Sequence, residues 1–301
     1  MKKLLLAAAL AAVTAPALAA APSSPAAEAP RPDADPALWV VRDADTTIYL
    51  FGTFHLLDGR RDWFNDEVRA AFDRSDELVL ELVLPDNPAD AQPVIMRYAG
   101  DPAGRTLAQR LPAALHHRLN EALPRMGVPA GAFDLLDPWF AAMSLFSIGA
   151  QRLGITGAEG TEMTLTAAAR TRNMPVSGIE TIEAQMEMLD AMPEAQQVQQ
   201  LGLTIDAMDR LGETLAPMTE AWAAGDSERL YEIMNGQLAQ SPDLYRTMLV
   251  ERYARWTDWI RDRMARPGTL FVAVGAGHLA GRDSVQAMLA RHGLRAERVR
   301  P

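Results

Sequence analysis

Cysteine is absent from the 301 residues of this chain, which removes disulfides, thiolate nucleophiles and sulfur-ligated metal sites together. Any metal must be held by His, Asp or Glu. Long apolar runs are scarce as well, and the one near the N-terminus, Leu4 to Ala12, is too short for a secure membrane span. Positive charge is under-represented: 29 Lys and Arg stand against 39 Asp and Glu, for a formal net charge of −10. So acidic a chain suits neither nucleic acid nor an anionic membrane surface. Also missing are a Gly-x-Ser-x-Gly elbow, a P-loop and a His-Glu-x-x-His helix. Gly275-Ala276-Gly277 with Ala280 has the outline of a dinucleotide loop, but too little sequence follows for a βαβ unit with an acidic ribose partner.

The N-terminus reads as a secretory signal: Lys2-Lys3, the apolar stretch from Leu4 to Ala12, and the cleavage site Ala17-Leu18-Ala19. Cleavage is expected after Ala19, with no stable membrane insertion afterwards and no cysteine for a lipid anchor. The expected destination is a bacterial periplasm. Losing the signal removes two lysines and no acid, which moves the formal charge from −10 to −12. Residues 20–36 are Ala, Pro, Ser and acid, the composition of a disordered tether. The remainder, 37–301, is expected to form a single domain that begins to fold near Leu38.

Within that domain, strand-like runs cluster at the two ends of the chain. Leu38 to Val41 and Thr47 to Phe51 flank Asp43-Ala44-Asp45 and predict a hairpin; Leu78 to Leu84, Leu270 to Val274 and Arg295 to Val299 predict further strands. Between them the apolar spacing is helical over Thr106–Leu123, Pro138–Leu153, Thr161–Arg172, Glu194–Met218, Glu228–Leu238 and Asp243–Met264, interrupted by a short strand at Pro175–Ser177. Shorter helices are expected over Asn65–Arg74 and Ser284–Arg291. The methionines and tryptophans of the centre read as core filling between helices. The fold class is thus α+β, with a central mixed sheet built from N- and C-terminal strands, wrapped by helices, and a helical insertion at about 106–265.

One short pattern occurs twice, 223 residues apart, each time after a strand-like run: Gly52-Thr53-Phe54-His55 and Gly275-Ala276-Gly277-His278. Glycine at a strand end permits a sharp turn or a close approach, and neutral imidazole is the commonest protein ligand for a catalytic metal. A single Gly-x-x-His is weak, because a histidine at such a place can simply cap a strand. Two copies are stronger in a chain of five histidines. The other three lack the setting: His116 and His117 fall in a polar helical stretch, and His292 precedes a glycine at a helix end. If the two strands are neighbours, His55 and His278 converge. Glu81 interrupts the apolar strand Leu78 to Leu84; it is either a solvent-facing residue or a buried carboxylate that requires a partner. Alternation makes Glu77 the more exposed acid of that strand.

The succession Phe51-Gly52-Thr53-Phe54-His55-Leu56, Leu80-Glu81-Leu82, Gly160-Thr161-Glu162, Pro175 to Thr181, Glu251-Arg252 and Val274 to Gly281 resembles the TraB/GumN family from about Leu38 to Val299. That family is related to the Tiki metalloproteases and, more distantly, to the erythromycin esterase and ChaN-like proteins. The resemblance implies a site of His55, His278, Glu81 and Arg252, the last from the family's Glu-Arg-Asn stretch. Tyr253 stands here where Asn is usual, and Glu162 where Asp is frequent.

The chemistry expected of these residues is hydrolysis. His55, His278 and a carboxylate would hold a divalent ion (Mn, Co or Zn), a second carboxylate would act as base, and Arg252 would stabilise an oxyanion. Glu81 is ligand or base, with no choice between them. Glu180 is either a second site carboxylate or a helix N-terminal residue before Thr181, and Glu162 reads as a helix-start residue with the site as its alternative. The leading expectation is an exported metal-dependent peptidase or amidase acting on a peptide or small molecule. Its rivals are a protein that sequesters such a ligand without turnover and a haem- or iron-binding protein.

Overall fold

A computed structural model describes residues 31–300 apart from 237, 239 and 240. The expected signal and residues 20–30 of the expected tether lie outside the described residues. Packing begins slightly before Leu38: Ala34 is buried, its backbone bonds to Asp62, and it joins the core of the domain.

Strands β1 (Leu38–Arg42) and β2 (Thr46–Thr53) form the expected antiparallel hairpin. Its turn is closed by Asp43, whose carboxylate accepts from the backbone N–H of Asp45 and Thr46. Next come α1 (Asp66–Asp73) and β3 (Glu77–Leu82). The helical centre comprises α2 (Gln92–Tyr98), α3 (Leu107–Arg110), α4 (Ala113–Arg125), α5 (Pro138–Arg152) and α6 (Thr161–Thr171). After β4 (Val176–Glu180) it continues with α7 (Ile182–Asp190), α8 (Glu194–Ala207), α9 (Leu211–Ala223), α10 (Ser227–Asn235), α11 (Pro242–Tyr245) and α12 (Glu251–Met264). The chain closes with β5 (Gly268–Gly275), α13 (Val285–Arg291) and β6 (Glu297–Arg298).

Several helices are shorter than their apolar periodicity suggests, each for a local reason. The expected helix from Thr106 to Leu123 breaks at Pro112, which forces Leu111 into an extended conformation (ψ 148°). The segment from Glu194 to Met218 is divided by a tighter turn over Met208–Arg210, and that from Asp243 to Met264 by a π-helical turn over Arg246–Val250. Helices α2 and α7 were not legible in the periodicity. The strand expected at Pro175–Ser177 runs on to Glu180. The final strand shrinks to two residues, and Glu77 is half-buried, accepting a hydrogen bond from Ser177 Oγ at 2.6 Å.

The six strands form one mixed sheet in the order β4-β3-β5-β2-β1-β6. The four from β4 to β2 are mutually parallel, with β5 from the C-terminal part inserted between β2 and β3. Both faces are covered, which is why β5 is apolar and buried from Leu270 to Val274. Phe271 and Ala273 face one layer with Phe72, Leu165 and Trp222; Leu270, Val272 and Val274 face the other with Tyr253, Trp256 and Ile260. A third apolar cluster joins α3, α4, α5 and α8 away from the sheet.

Parallel pairing brings the carboxyl ends of β2, β3, β4 and β5 to one edge, and Thr53 stands opposite Gly275. The loop that follows β2 is tied down there. Phe54 N–H donates to Thr161 Oγ1 at 3.0 Å, Thr161 N–H returns to the Phe54 carbonyl, and Trp222 Nε1 donates to the Gly52 carbonyl at 2.8 Å. Gly160 fits by close approach, since a Cβ there would stand 2.3 Å from the His55 carbonyl oxygen. Gly160→Ala should therefore lower stability by about 1–3 kcal/mol, as overpacking against backbone does, and shift the His55 NMR resonances. Unchanged urea denaturation and unchanged resonances would show that the loop is not clamped in this way.

Candidate functional site

Every site residue singled out in the sequence lies at this carboxyl edge, the place where parallel sheets of open α/β folds bind ligands. His55 follows β2, Glu81 is the penultimate residue of β3, Glu180 ends β4, and His278 closes the short turn after β5. Arg252 and Tyr253 enter from the first turn of α12, and Glu162 from the first turn of α6. An open cleft runs over them, lined by His55, His278 and Arg252 among apolar side chains that include Phe54, Met188, Met218, Met234 and Met248.

Beneath the cleft lies an ion-pair network. Glu81 is 6% exposed and Arg252 3%. Arg252 Nη2 donates to Glu81 Oε1 at 2.6 Å and to Glu180 Oε2 at 2.8 Å, and Nε donates to Glu180 Oε1 at 2.9 Å. Gln185 Nε2 bridges the same two carboxylates at 2.8 and 3.0 Å, and Trp256 Nε1 donates to Glu180 at 2.8 Å. Burial pushes Glu81 upward, but the Arg252 guanidinium above all holds it well below the usual carboxylate range. Glu81 is therefore an anion. Its Oε2 accepts from the Gly275 N–H at 3.2 Å and faces His278 Nε2 at 3.5 Å.

This arrangement bears on two sequence readings. Glu180 ends a strand rather than starting a helix, and Thr181 is the residue that caps α7. The Arg252 guanidinium, expected as an oxyanion donor, binds two carboxylates through Nε and Nη2 and also lines the cleft. Glu162 satisfies both of its readings, sitting in the first turn of α6 and pairing with His55.

The two imidazoles differ in charge. His55 Nδ1 lies 2.5 Å from Glu162 Oε1, and the side chain is 31% exposed. Burial alone would push this imidazole down; the Glu162 carboxylate, with help from Glu81, more than reverses that and raises it from 6.5 to about 9. His278 Nδ1 meets the Tyr253 hydroxyl at 3.0 Å, and burial outweighs the pull of Glu81, so this imidazole falls below its ordinary value and is neutral at pH 7. Tyr253 and Trp256 wedge the His278 ring edge-on, with centroids at 5.3 and 5.0 Å.

Each imidazole thus has Nδ1 occupied, which leaves Nε2 as the nitrogen available to the cleft. That is the pattern in which second-shell partners orient metal-binding histidines, and by donor chemistry His55, His278 and Glu81 suit a divalent cation. Among the described residues no group of three or more His, Asp or Glu is already assembled as a metal site.

Sequence reasoning missed Gln185, Trp256 and Asn235, whose Nδ2 donates to the Gly277 carbonyl at 2.9 Å. Only Trp256 left a signal: it stands four residues after Arg252 on one helix face, with the guanidinium 4.8 Å from its ring centroid. In the polar helical stretch, His116 is engaged: its Nε2 contacts Asp134 at 3.0 Å and Asn120 at 3.1 Å. His117 is the exposed one.

The chain belongs to the TraB/PrgY/gumN family, whose model matches residues 37–298. It is similar to the uncharacterized protein YbaP of Escherichia coli (strain K12), at 25% identity over 254 residues that cover 84% of this chain and 92% of that protein. The protein of the same name from Shigella flexneri matches with the same identity and coverage. No solved structure gives a significant match.

Two predictions follow from the charges. With its pKa raised from 6.5 to about 9, protonated His55 contributes stability that is complete below pH 6.5 and lost as pH rises through 9. NMR titration of the metal-free protein should place His55 near 9, and Glu162→Gln should return it towards or below 6.5; a wild-type value near 6.5 contradicts the ion pair. Arg252→Met, which leaves two carboxylates facing each other, should lower stability by about 3–5 kcal/mol in denaturant titrations. A loss under about 1 kcal/mol, the range of an exposed pair, would mean the network is not buried.

Proposed function

We propose that the chain is an exported metal-dependent hydrolase that cleaves amide bonds in peptides or small molecules. The observation that carries this reading is the pair of imidazoles on one cleft, each held at Nδ1 and free at Nε2, beside a carboxylate kept ionised by Arg252. His55 Nε2 and His278 Nε2 would hold the ion, whether Mn, Co or Zn, with Glu81 Oε2 either as a third ligand or as the base beside it. When bound, such an ion polarises a carbonyl and lowers the pKa of water towards neutrality.

The remaining work falls to the chain's own side chains. Glu81 Oε2 is the oxygen left for either role, because Oε1 is occupied by Arg252 and Gln185; as the base it would take a proton from the attacking water. His278 is neutral and ready to ligate, while His55 must release its Nε2 proton first. The apolar wall with its methionines excludes bulk water and adapts to apolar parts of a substrate. Export to the periplasm rests on the signal at residues 1–19, with Ala20 as the mature N-terminus. No helix among the described residues is long and apolar enough to cross a membrane. The same apolar cleft also suits a protein that binds a peptide without turnover.

Metal analysis of the purified mature protein, followed by a peptide-library assay with and without chelator, tests the proposal. His55→Ala and His278→Ala should each remove most bound metal and abolish cleavage. Glu81→Gln should cut turnover by about 10²–10⁴-fold, the usual worth of a positioned base, and His117→Ala should be silent. Tight peptide binding with no chelator-sensitive cleavage across the library would favour sequestration instead.

A further inference from the structure

The chain has no cysteine, so the thioethers of its 15 methionines are its only sulfur. Four of them, Met188, Met218, Met234 and Met248, line the cleft. Met218 and Met248 are buried by protein, whereas Met188 and Met234 are half-buried. Met234 is set apart by what it touches, the turn that carries His278. A Cβ built on Gly277 would stand 3.3 Å from its Cε and 3.4 Å from its Sδ, so the thioether lies directly on backbone where another residue would have a side chain.

The same point lies 3.4 Å from Asn235 Nδ2, the amide that donates to the Gly277 carbonyl at 2.9 Å. Helix α10 also grips the far side of His278, where the Tyr231 ring stands 2.6 Å from the place a Cβ on Gly281 would occupy. His278 therefore sits between two contacts with one helix, and a displacement at Gly277 reaches it through a single peptide unit. A thioether suits this place because it is apolar and requires no partner. A sulfoxide does not: its oxygen is a hydrogen-bond acceptor, and one enclosed by protein needs a donor. The Asn235 amide is at hand, and taking it would strip the Gly277 carbonyl of its donor.

We propose that Met234 is a modification site at which a two-electron oxidant, such as hypochlorous acid, displaces the turn at Gly277 and His278. The thioether sulfur attacks the oxidant's oxygen with a lone pair. The O–Cl bond breaks, chloride leaves, the hydroxyl proton goes to solvent, and the sulfur becomes a sulfoxide. A methionine sulfoxide reductase supplied with a dithiol reverses the change: the dithiol is oxidised to a disulfide and the oxygen departs as water. The modification and the displacement need no metal; the effect on a bound ion rests on the metal-dependent reading.

The test is stepwise hypochlorous acid on the mature, metal-free protein, with mass mapping of each methionine and amide NMR of Gly277 and His278. Wild type is compared with Met234→Leu and Met234→Gln, each checked for folding by thermal melting. Oxidation of the exposed Met96 and Met163 should leave the two resonances in place; oxidation of Met234 should move both, and the reductase should return them. Met234→Leu, a volume-conserving change, should hold them still through the same oxidant dose. Met234→Gln, which sets a polar group on the turn, should displace them with no oxidant. When Zn²⁺ is then added, sulfoxide at Met234 should weaken its binding by about 10- to 100-fold, the usual effect of disturbing an outer-shell support. The proposal is overturned by a Met234 that stays a thioether after Met218 and Met248 have oxidised, by a Met234 sulfoxide that leaves both resonances unmoved, or by equal shifts in Met234→Leu. Failure of Zn²⁺, Mn²⁺ and Co²⁺ to bind the unoxidised protein would overturn the hydrolase reading instead, while the metal-free spectra would still decide the modification.

Discussion

One buried and one half-buried carboxylate at one edge of the sheet coexist because a single guanidinium lies between them. Glu81 and Glu180 end neighbouring parallel strands, and Arg252 reaches both from α12. Like charges this close would otherwise repel each other. Such a network is weak evidence for net stability, because desolvation offsets much of its attraction. Its consequence here is positional: with Oε1 held by Arg252 and Gln185, Glu81 has one oxygen left to face His278. The anionic state of Glu81 depends on this arrangement, whereas burial above all keeps His278 neutral against the pull of Glu81.

Around that fixed carboxylate, the histidines are placed by backbone rather than by side-chain packing alone. Parallel pairing sets Thr53 opposite Gly275, so the two Gly-x-x-His turns leave the sheet together. Gly160 lets α6 dock directly on the His55 carbonyl, and Asn235 ties down the Gly277 carbonyl. Each imidazole then meets a different partner. Glu162 gives His55 a charge, whereas Tyr253 and Trp256 hold His278 neutral in an aromatic slot.

The site was legible in the sequence where chemistry and glycine coincide. The repeated Gly-x-x-His, and Glu81 inside an apolar strand, each break a local rule in a way that demands a partner. The sheet built from both chain ends was readable too, since strand-like runs occur there and helical periodicity fills the middle. What escaped were features set by tertiary contact. Gln185 is a polar residue on a helix whose periodicity is too short to stand out, and its role depends on two strands lying beside it. The two carboxylates that Arg252 binds were not legible either, because one sequence position does not reveal which strand ends lie beside it. The break at Pro112 was available in the residues and was missed, because apolar spacing continues on either side of it.

The central claim is that the two imidazoles share one ion. Crystals of the mature protein loaded with Mn²⁺, with data collected for manganese anomalous scattering, test it most directly. The account predicts one anomalous peak within bonding distance of both His55 Nε2 and His278 Nε2, on the Glu81 side of the cleft. A peak bound to only one imidazole, a peak elsewhere, or none at saturating Mn²⁺ would contradict it.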